Sequence, residues 1–208
     1  MLKTSEQGWF LYFWRVIKPI KKIAVFASGS GTNAENLIRY FSNSGRAKVE
    51  LVLCNNPVAG IIERARNLGV PSVVFNRKDF YESTMVLNQL LEKKIDLVVL
   101  AGFLWLIPWN IIATFEKKII NIHPALLPGF GGKGFYGMKV HQAIIDSKSL
   151  LSGITIHYVN EKFDEGEIIF QAASHVNKED TAESLAKKIH ELEYSYFPVV
   201  VEKVLTRA

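Results

Sequence analysis

Asn121-Ile122-His123-Pro124 holds the strongest chemical signal in this chain of 208 residues. The run KIINIHP reads as a buried strand, and residues i and i+2 of a strand share a face. Asn121 and His123 therefore point the same way from a strand end. An amide beside an imidazole there can stabilise a developing oxyanion and move a proton. A strand-end His-Pro on its own also fits a structural role. Asp164, in the turn Phe163-Asp164-Glu165-Gly166, is the carboxylate that could orient the imidazole and favour its charged form. From spacing alone an acid in such a turn is usually just a solvated turn residue.

A second signal lies upstream. Gly29-Ser30-Gly31-Thr32-Asn33-Ala34 follows an apolar β-rich run and opens a helical pattern. Glycines allow a tight turn with exposed amides, and a helix start favours an anion. Thr32 and Asn33 could add side-chain donors. The run also fits the relaxed dinucleotide fingerprint G-x-G-x-x-A. A dinucleotide fold wants an acid at the end of the second strand. That strand ends Cys54-Asn55-Asn56-Pro57, so a single phosphate is the better reading. No Gly-Lys-Ser/Thr follows, which excludes a Walker loop.

The elements that must position these groups alternate. KKIAVFAS, VELVLCNN, PSVVFN, DLVVLAG and KIINIHP read as strands. Helical patterns lie between them, near 34–41, 57–68, 79–93 (with Asp79 as its cap) and 108–115. This order implies an α/β fold, a single domain with a doubly wound, mostly parallel sheet of Rossmann-like type. The glycine-rich segment 129–137 is a loop, followed by a short helix at 139–147. SGITIHYVN and EIIFQAASHV are two further strands, and a helix over about 181–205 closes the domain. The domain is expected over 21–208. Residues 1–20, with the aromatic run Trp9–Trp14, are expected to form a non-catalytic extension, too short to span a membrane.

Composition narrows the function. Apolar residues make up 49%, enough for a full core. The net charge is +5, but the first 22 residues carry five cations against Glu6, leaving the rest nearly neutral. A nucleic-acid partner gains no support from that balance. The single cysteine, Cys54, lies in an apolar run and is expected to be buried and inert, which fits a cytoplasmic setting. No metal is expected, because nothing has metal-ligand spacing. His141, His157, His175 and His190 are scattered and read as structural or surface residues.

Taken together, the phosphate loop, the Asn-x-His pair and the downstream Asp resemble a known family, the phosphoribosylglycinamide formyltransferases. The likeness runs from about Lys22 to Leu205. It is carried by ASGSGTN (27–33), LAGFLWLI (100–107), NIHPALLP (121–128), Gly-Lys-Gly-Phe-Tyr-Gly (132–137), GITIHYVNEKFDEGEII (153–169) and LEYSYFP (192–198). The resemblance implies formyl transfer from 10-formyltetrahydrofolate to the amine of glycinamide ribonucleotide, in purine synthesis. It implies that Asn121, His123 and Asp164 form the catalytic triad. It implies that Gly31, Thr32 and Asn33 hold the substrate phosphate, with Pro124 and Glu193 also near the ribonucleotide. Leu104, Trp105, Leu106, Ile107, Ile112 and Asn160 would line the folate side. Its partners would be these small molecules, without nucleic acid or membrane, and a homodimer is an assembly it allows.

The sequence departs from the pattern in three places. Ala125 replaces the commonest serine, Trp105 stands where many members have arginine, and no arginine for the folate tail stands near Ser83. Arg77 or Lys78 is the nearest substitute, and Lys133 is a candidate phosphate contact. Formyl-folate hydrolases and methionyl-tRNA formyltransferases share the Asn-x-His and Asp. They typically carry an additional N-terminal or C-terminal domain, for which this chain is expected to have no room, and GSGTN favours a small phosphorylated acceptor.

Overall fold

The computed structural model describes residues 19–207. The aromatic run at 9–14, and nearly all of the expected extension, lie outside the described residues. Among the described residues seven strands form one sheet: β1 (Lys21–Ala27), β2 (Ala47–Cys54), β3 (Ser72–Val74), β4 (Leu97–Leu100), β5 (Ile119–His123), β6 (Leu151–Tyr158) and β7 (Ile168–His175). Their spatial order is β3-β2-β1-β4-β5-β6-β7. The first five strands are parallel to one another, whereas β6 runs antiparallel to both β5 and β7.

Among the described residues seven helices cover both faces, as the alternating pattern implies. On one side lie α1 (Thr32–Ser42), α2 (Gly60–Asn67), α6 (Met138–Asp146) and α7 (Ala182–Arg207). They pack Leu37, Ile61, Ile144 and Ile189 against Ile23 and Val25. On the other lie α3 (Arg77–Tyr81), α4 (Met85–Glu92) and α5 (Trp109–Thr114). These pack Phe80, Leu90 and Ile111 against Ala24 and Phe26. Alternate residues of β1 thus serve opposite cores, which is why the strand is apolar throughout. Cys54 is fully buried, and burial pushes its thiol up. Among the described residues no helix is long and apolar enough to cross a membrane.

Two local features differ from the sequence expectation or explain it. The helix expected over 79–93 is broken in two. Asn76, not Asp79, caps the first piece, and Asp79 returns the bond to the Asn76 amide as a reciprocal cap. Ser83 Oγ then bonds back to Asp79 O, and the chain restarts at Met85. In α7, Pro198 cannot donate to the carbonyl four residues earlier. That carbonyl, of Tyr194, accepts instead from Asn36 Nδ2 of α1 at 3.0 Å. The exchange ties the last helix to the first, just after the Gly29–Asn33 loop.

Strand order reverses between β1 and β4, where successive crossovers leave to opposite sides. A crevice opens there at the carboxyl ends of the strands. The ends of β1, β4 and β5 deliver Gly29–Asn33, Gly102–Ile107 and His123 to this crevice.

Candidate active site

The Gly29–Asn33 loop is built by one obligatory glycine. Gly31 sits at φ +76, and a Cβ placed on it would lie 2.4 Å from Ile61 Cβ. The left-handed turn drives the chain into α1, whose first amides have no side-chain cap. They remain free for an anion. Arg64 Nε donates to Ser30 O at 2.9 Å and braces the turn, while its guanidinium also pairs with Glu35. Asn33 Nδ2 commits one of its two hydrogens to Glu193 Oε2 at 2.8 Å. Gly31→Ala should lower stability by about 1–3 kcal/mol and raise KM for the phosphorylated substrate. An unchanged denaturation midpoint would refute this account of the turn.

The cluster of Asn121, His123 and Asp164 is set by strand register. Antiparallel pairing places Asn121 opposite His157, and His123 opposite Thr155. Asp164 reaches the pair from the β6–β7 turn, at φ +57. Gly166 lets that turn close, because a Cβ there would strike Tyr158 O at 1.6 Å. Asp164 Oδ2 lies 3.4 Å from His123 Nδ1 and accepts from the Gly132 amide at 2.9 Å. Its Oδ1 lies 3.5 Å from His157 Nε2. Burial alone would raise the Asp164 pKa. The polar groups around it, with the Gly132 amide donating to Oδ2, outweigh burial and hold the carboxyl below its usual range.

His157, expected to be structural or a surface group, is a buried member of this centre at 2% exposure. Its Nδ1 lies 2.8 Å from Tyr158 O. A carbonyl only accepts, so Nδ1 carries the proton and Nε2 accepts from Asn121 Nδ2 at 3.0 Å. Asn121 Nδ2 also reaches Asp164 Oδ1 at 3.4 Å. The flipped amide would set its carbonyl against a carboxylate and a lone pair. Both Asn121 donors are therefore spent inward, and its carbonyl oxygen is the free group.

His123 is 4% exposed, and its Nε2 lies 2.8 Å from Phe130 O. That nitrogen holds its proton toward the loop carbonyl. Burial lowers the His123 pKa, and Asp164 and Phe130 offset it only in part. The expectation that Asp164 keeps the ring charged is thus corrected. Desolvation wins, and the resting imidazole is neutral.

These groups line a cleft of about 580 Å³. It also gathers Gly31, Thr32, Pro124, Glu193, Lys133 and Asn160. Leu104, Trp105, Leu106 and Ile107 form one apolar wall. That wall is rigidly held: Ser28 Oγ accepts from the Leu104 amide at 3.1 Å, and Tyr81 donates to Leu106 O at 3.0 Å. Arg77 stacks over Trp105 with Cζ 5.0 Å from the ring centre. Ile112 is the exception among the expected residues. It packs onto the core beneath α5 and does not line the cleft. His141 and His190, also expected to be structural or surface, do line it.

Residues 21–201 match the formyl transferase family model. A chloroplastic phosphoribosylglycinamide formyltransferase of Arabidopsis thaliana is 42% identical over 187 residues, covering 87% of this chain. The chain spans 64% of that plant protein's length. The Bacillus subtilis phosphoribosylglycinamide formyltransferase is 36% identical over 191 residues, covering 89% of this chain and 95% of its own. The crystal structure of phosphoribosylglycinamide formyltransferase from Bacillus halodurans superposes with a TM-score of 0.80 at 38% identity, over 89% of this chain and 95% of that one. The chain belongs to the formyl transferase family.

Proposed function

We propose that this protein transfers the formyl group of 10-formyltetrahydrofolate to the amine of glycinamide ribonucleotide, a step of purine synthesis. The observation that carries the reading is a single cleft. It joins a free helix N-terminus, an apolar wall and an Asn–His–Asp centre between them. Its volume suits two small molecules end to end. The relatives' names and the match over 21–201 support the same reading. We assign the formyltransferase domain to 21–208, the phosphate to the backbone of Gly31–Asn33, and the folate to Leu104–Ile107 and Asn160. The buried free thiol agrees with a cytoplasmic setting.

The chemistry needs no change of oxidation state. The amine nitrogen attacks the formyl carbon, and the carbon–nitrogen bond to the folate breaks. The amine's proton ends on the departing folate nitrogen. Asn121 presents its carbonyl oxygen, which accepts an N–H of the amine and aims its lone pair. When His123 exchanges the Phe130 carbonyl for the reacting groups, its proton moves to Nδ1, toward Asp164, and the freed Nε2 takes the amine's proton, stabilises the developing oxygen charge as an N–H and passes that proton to the departing folate nitrogen. Asp164, already ionised, supports the ring as it gains the proton. A neutral base with a lowered pKa suits this exchange at neutral pH.

The pH profile follows with a definite sign. His123 must be unprotonated to take the proton, so kcat/KM should climb from acid and level off below the ordinary imidazole value of about 6.5. A limb centred above 7 would contradict the burial argument. The function itself is tested by following deformylated folate with and without the ribonucleotide. Release that requires the ribonucleotide supports transfer. Release without it would make the protein a hydrolase.

A further inference from the structure

His141, on α6, has no role in the chemistry above, yet it is 2% exposed and lines the cleft. Its Nδ1 is buried with no hydrogen-bond partner. Val140 and Ile144 on the same helix are fully buried apolar residues, and pure packing would ask for another. An unmet acceptor lone pair costs less than an unmet N–H. The proton therefore sits on Nε2, which leaves that nitrogen as the donor at the cleft wall. Burial, helped by nearby His190, lowers the His141 pKa against the pull of Glu193, so the donor is neutral.

Its surroundings complete a pattern. Glu193 is 4% exposed, and its Oε2 accepts from Asn33 Nδ2 at 2.8 Å. The same oxygen lies 2.8 Å from His190 Nδ1. Glu193 Oε1 is left as an acceptor. Asn33 Oδ1 is likewise buried and unpartnered, so the cluster has unmet capacity on several sides. A neutral donor beside a carboxylate fits a hydroxyl, which both accepts and donates. A phosphate would be repelled by Glu193, and a carbonyl could not satisfy it.

We propose that His141 is a substrate-positioning residue whose Nε2–H donates to a sugar hydroxyl of the acceptor, while that hydroxyl donates to Glu193. The sugar is thereby fixed between the α1 phosphate site and His123. This rests on the reading that the acceptor is a phosphorylated ribose amine.

The test is calorimetric binding of ribose 5-phosphate and of inorganic phosphate to the wild type, His141→Met and His141→Gln. The Met variant should weaken ribose 5-phosphate by about tenfold or more and leave phosphate within about twofold. Gln keeps a neutral donor and should recover most of the loss. In turnover, KM for the ribonucleotide should rise with Met while KM for the formyl-folate stays put. Equal losses for both probes, no loss, no ribose 5-phosphate binding by the wild type, or Gln no better than Met would overturn the proposal. If Met does not fold, His141→Leu supplies the apolar arm. Sugar binding that depends on His141 without formyl transfer would leave this site standing and remove the proposed function. Transfer that ignores His141 would do the reverse.

Discussion

His123→Ala should lower kcat by about 10²–10⁴-fold, the usual contribution of a positioned acid–base group, while the fold survives. The ring is tied to the rest of the molecule by the Phe130 carbonyl and by the Asp164 carboxylate, both on loops, so its loss leaves the sheet intact. Far-ultraviolet circular dichroism should match the wild type, and KM for either substrate should move far less than kcat. The asymmetry is the informative part. A group that acts on the developing charge costs turnover when removed, whereas a group that only fills space costs stability. A kcat within about tenfold of the wild type would mean that binding and orientation alone carry the reaction, and that the imidazole is a bystander.

Asp164→Asn should cost about 10³-fold in kcat and about 1–3 kcal/mol of stability at neutral pH. The carboxylate faces three partners at once, His123, His157 and the Gly132 amide. An amide of the same shape keeps one acceptor and sets a donor where an acceptor is needed. The pH dependence has a fixed sign. The Asp164 pKa is lowered in the folded state, so its contribution is present above the unfolded value of about 3.9 and fades as pH falls through the folded one. The stability gap between wild type and Asp164→Asn, measured by denaturant titration, should therefore be wide at pH 7 and shrink in strong acid. A gap that grows on acidification would mean the carboxylate is not held ionised.

Several features were legible in the sequence because they depend on local chemistry. The period of the apolar runs marked parallel strands buried on both faces. The Gly29–Asn33 run marked a turn into a helix. Asn121 and His123 shared a face by strand geometry alone. What stayed hidden depends on residues far apart in the chain. His157 looks like any strand histidine until the antiparallel register sets it opposite Asn121. His141 and His190 join the cleft only because α6 and α7 lie side by side against the phosphate loop. The inward turn of the Asn33 side chain depends on Glu193, 160 residues away. Spacing suggested that Asp164 would charge His123. The net burial of the imidazole decides the matter the other way, and burial is a property of the folded chain. The start of α3 was readable in principle, since Asn76 and Asp79 form a reciprocal cap three residues apart.

The central claim is that one carbon moves between two molecules held in this cleft. The most direct measurement supplies 10-formyltetrahydrofolate labelled with carbon-13 at the formyl group, together with unlabelled glycinamide ribonucleotide, and follows the label by nuclear magnetic resonance. The account predicts that the labelled carbon appears as a formamide on the ribonucleotide, at a rate abolished by His123→Ala. Label recovered as free formate, or left on the folate by a well-folded protein, would contradict it.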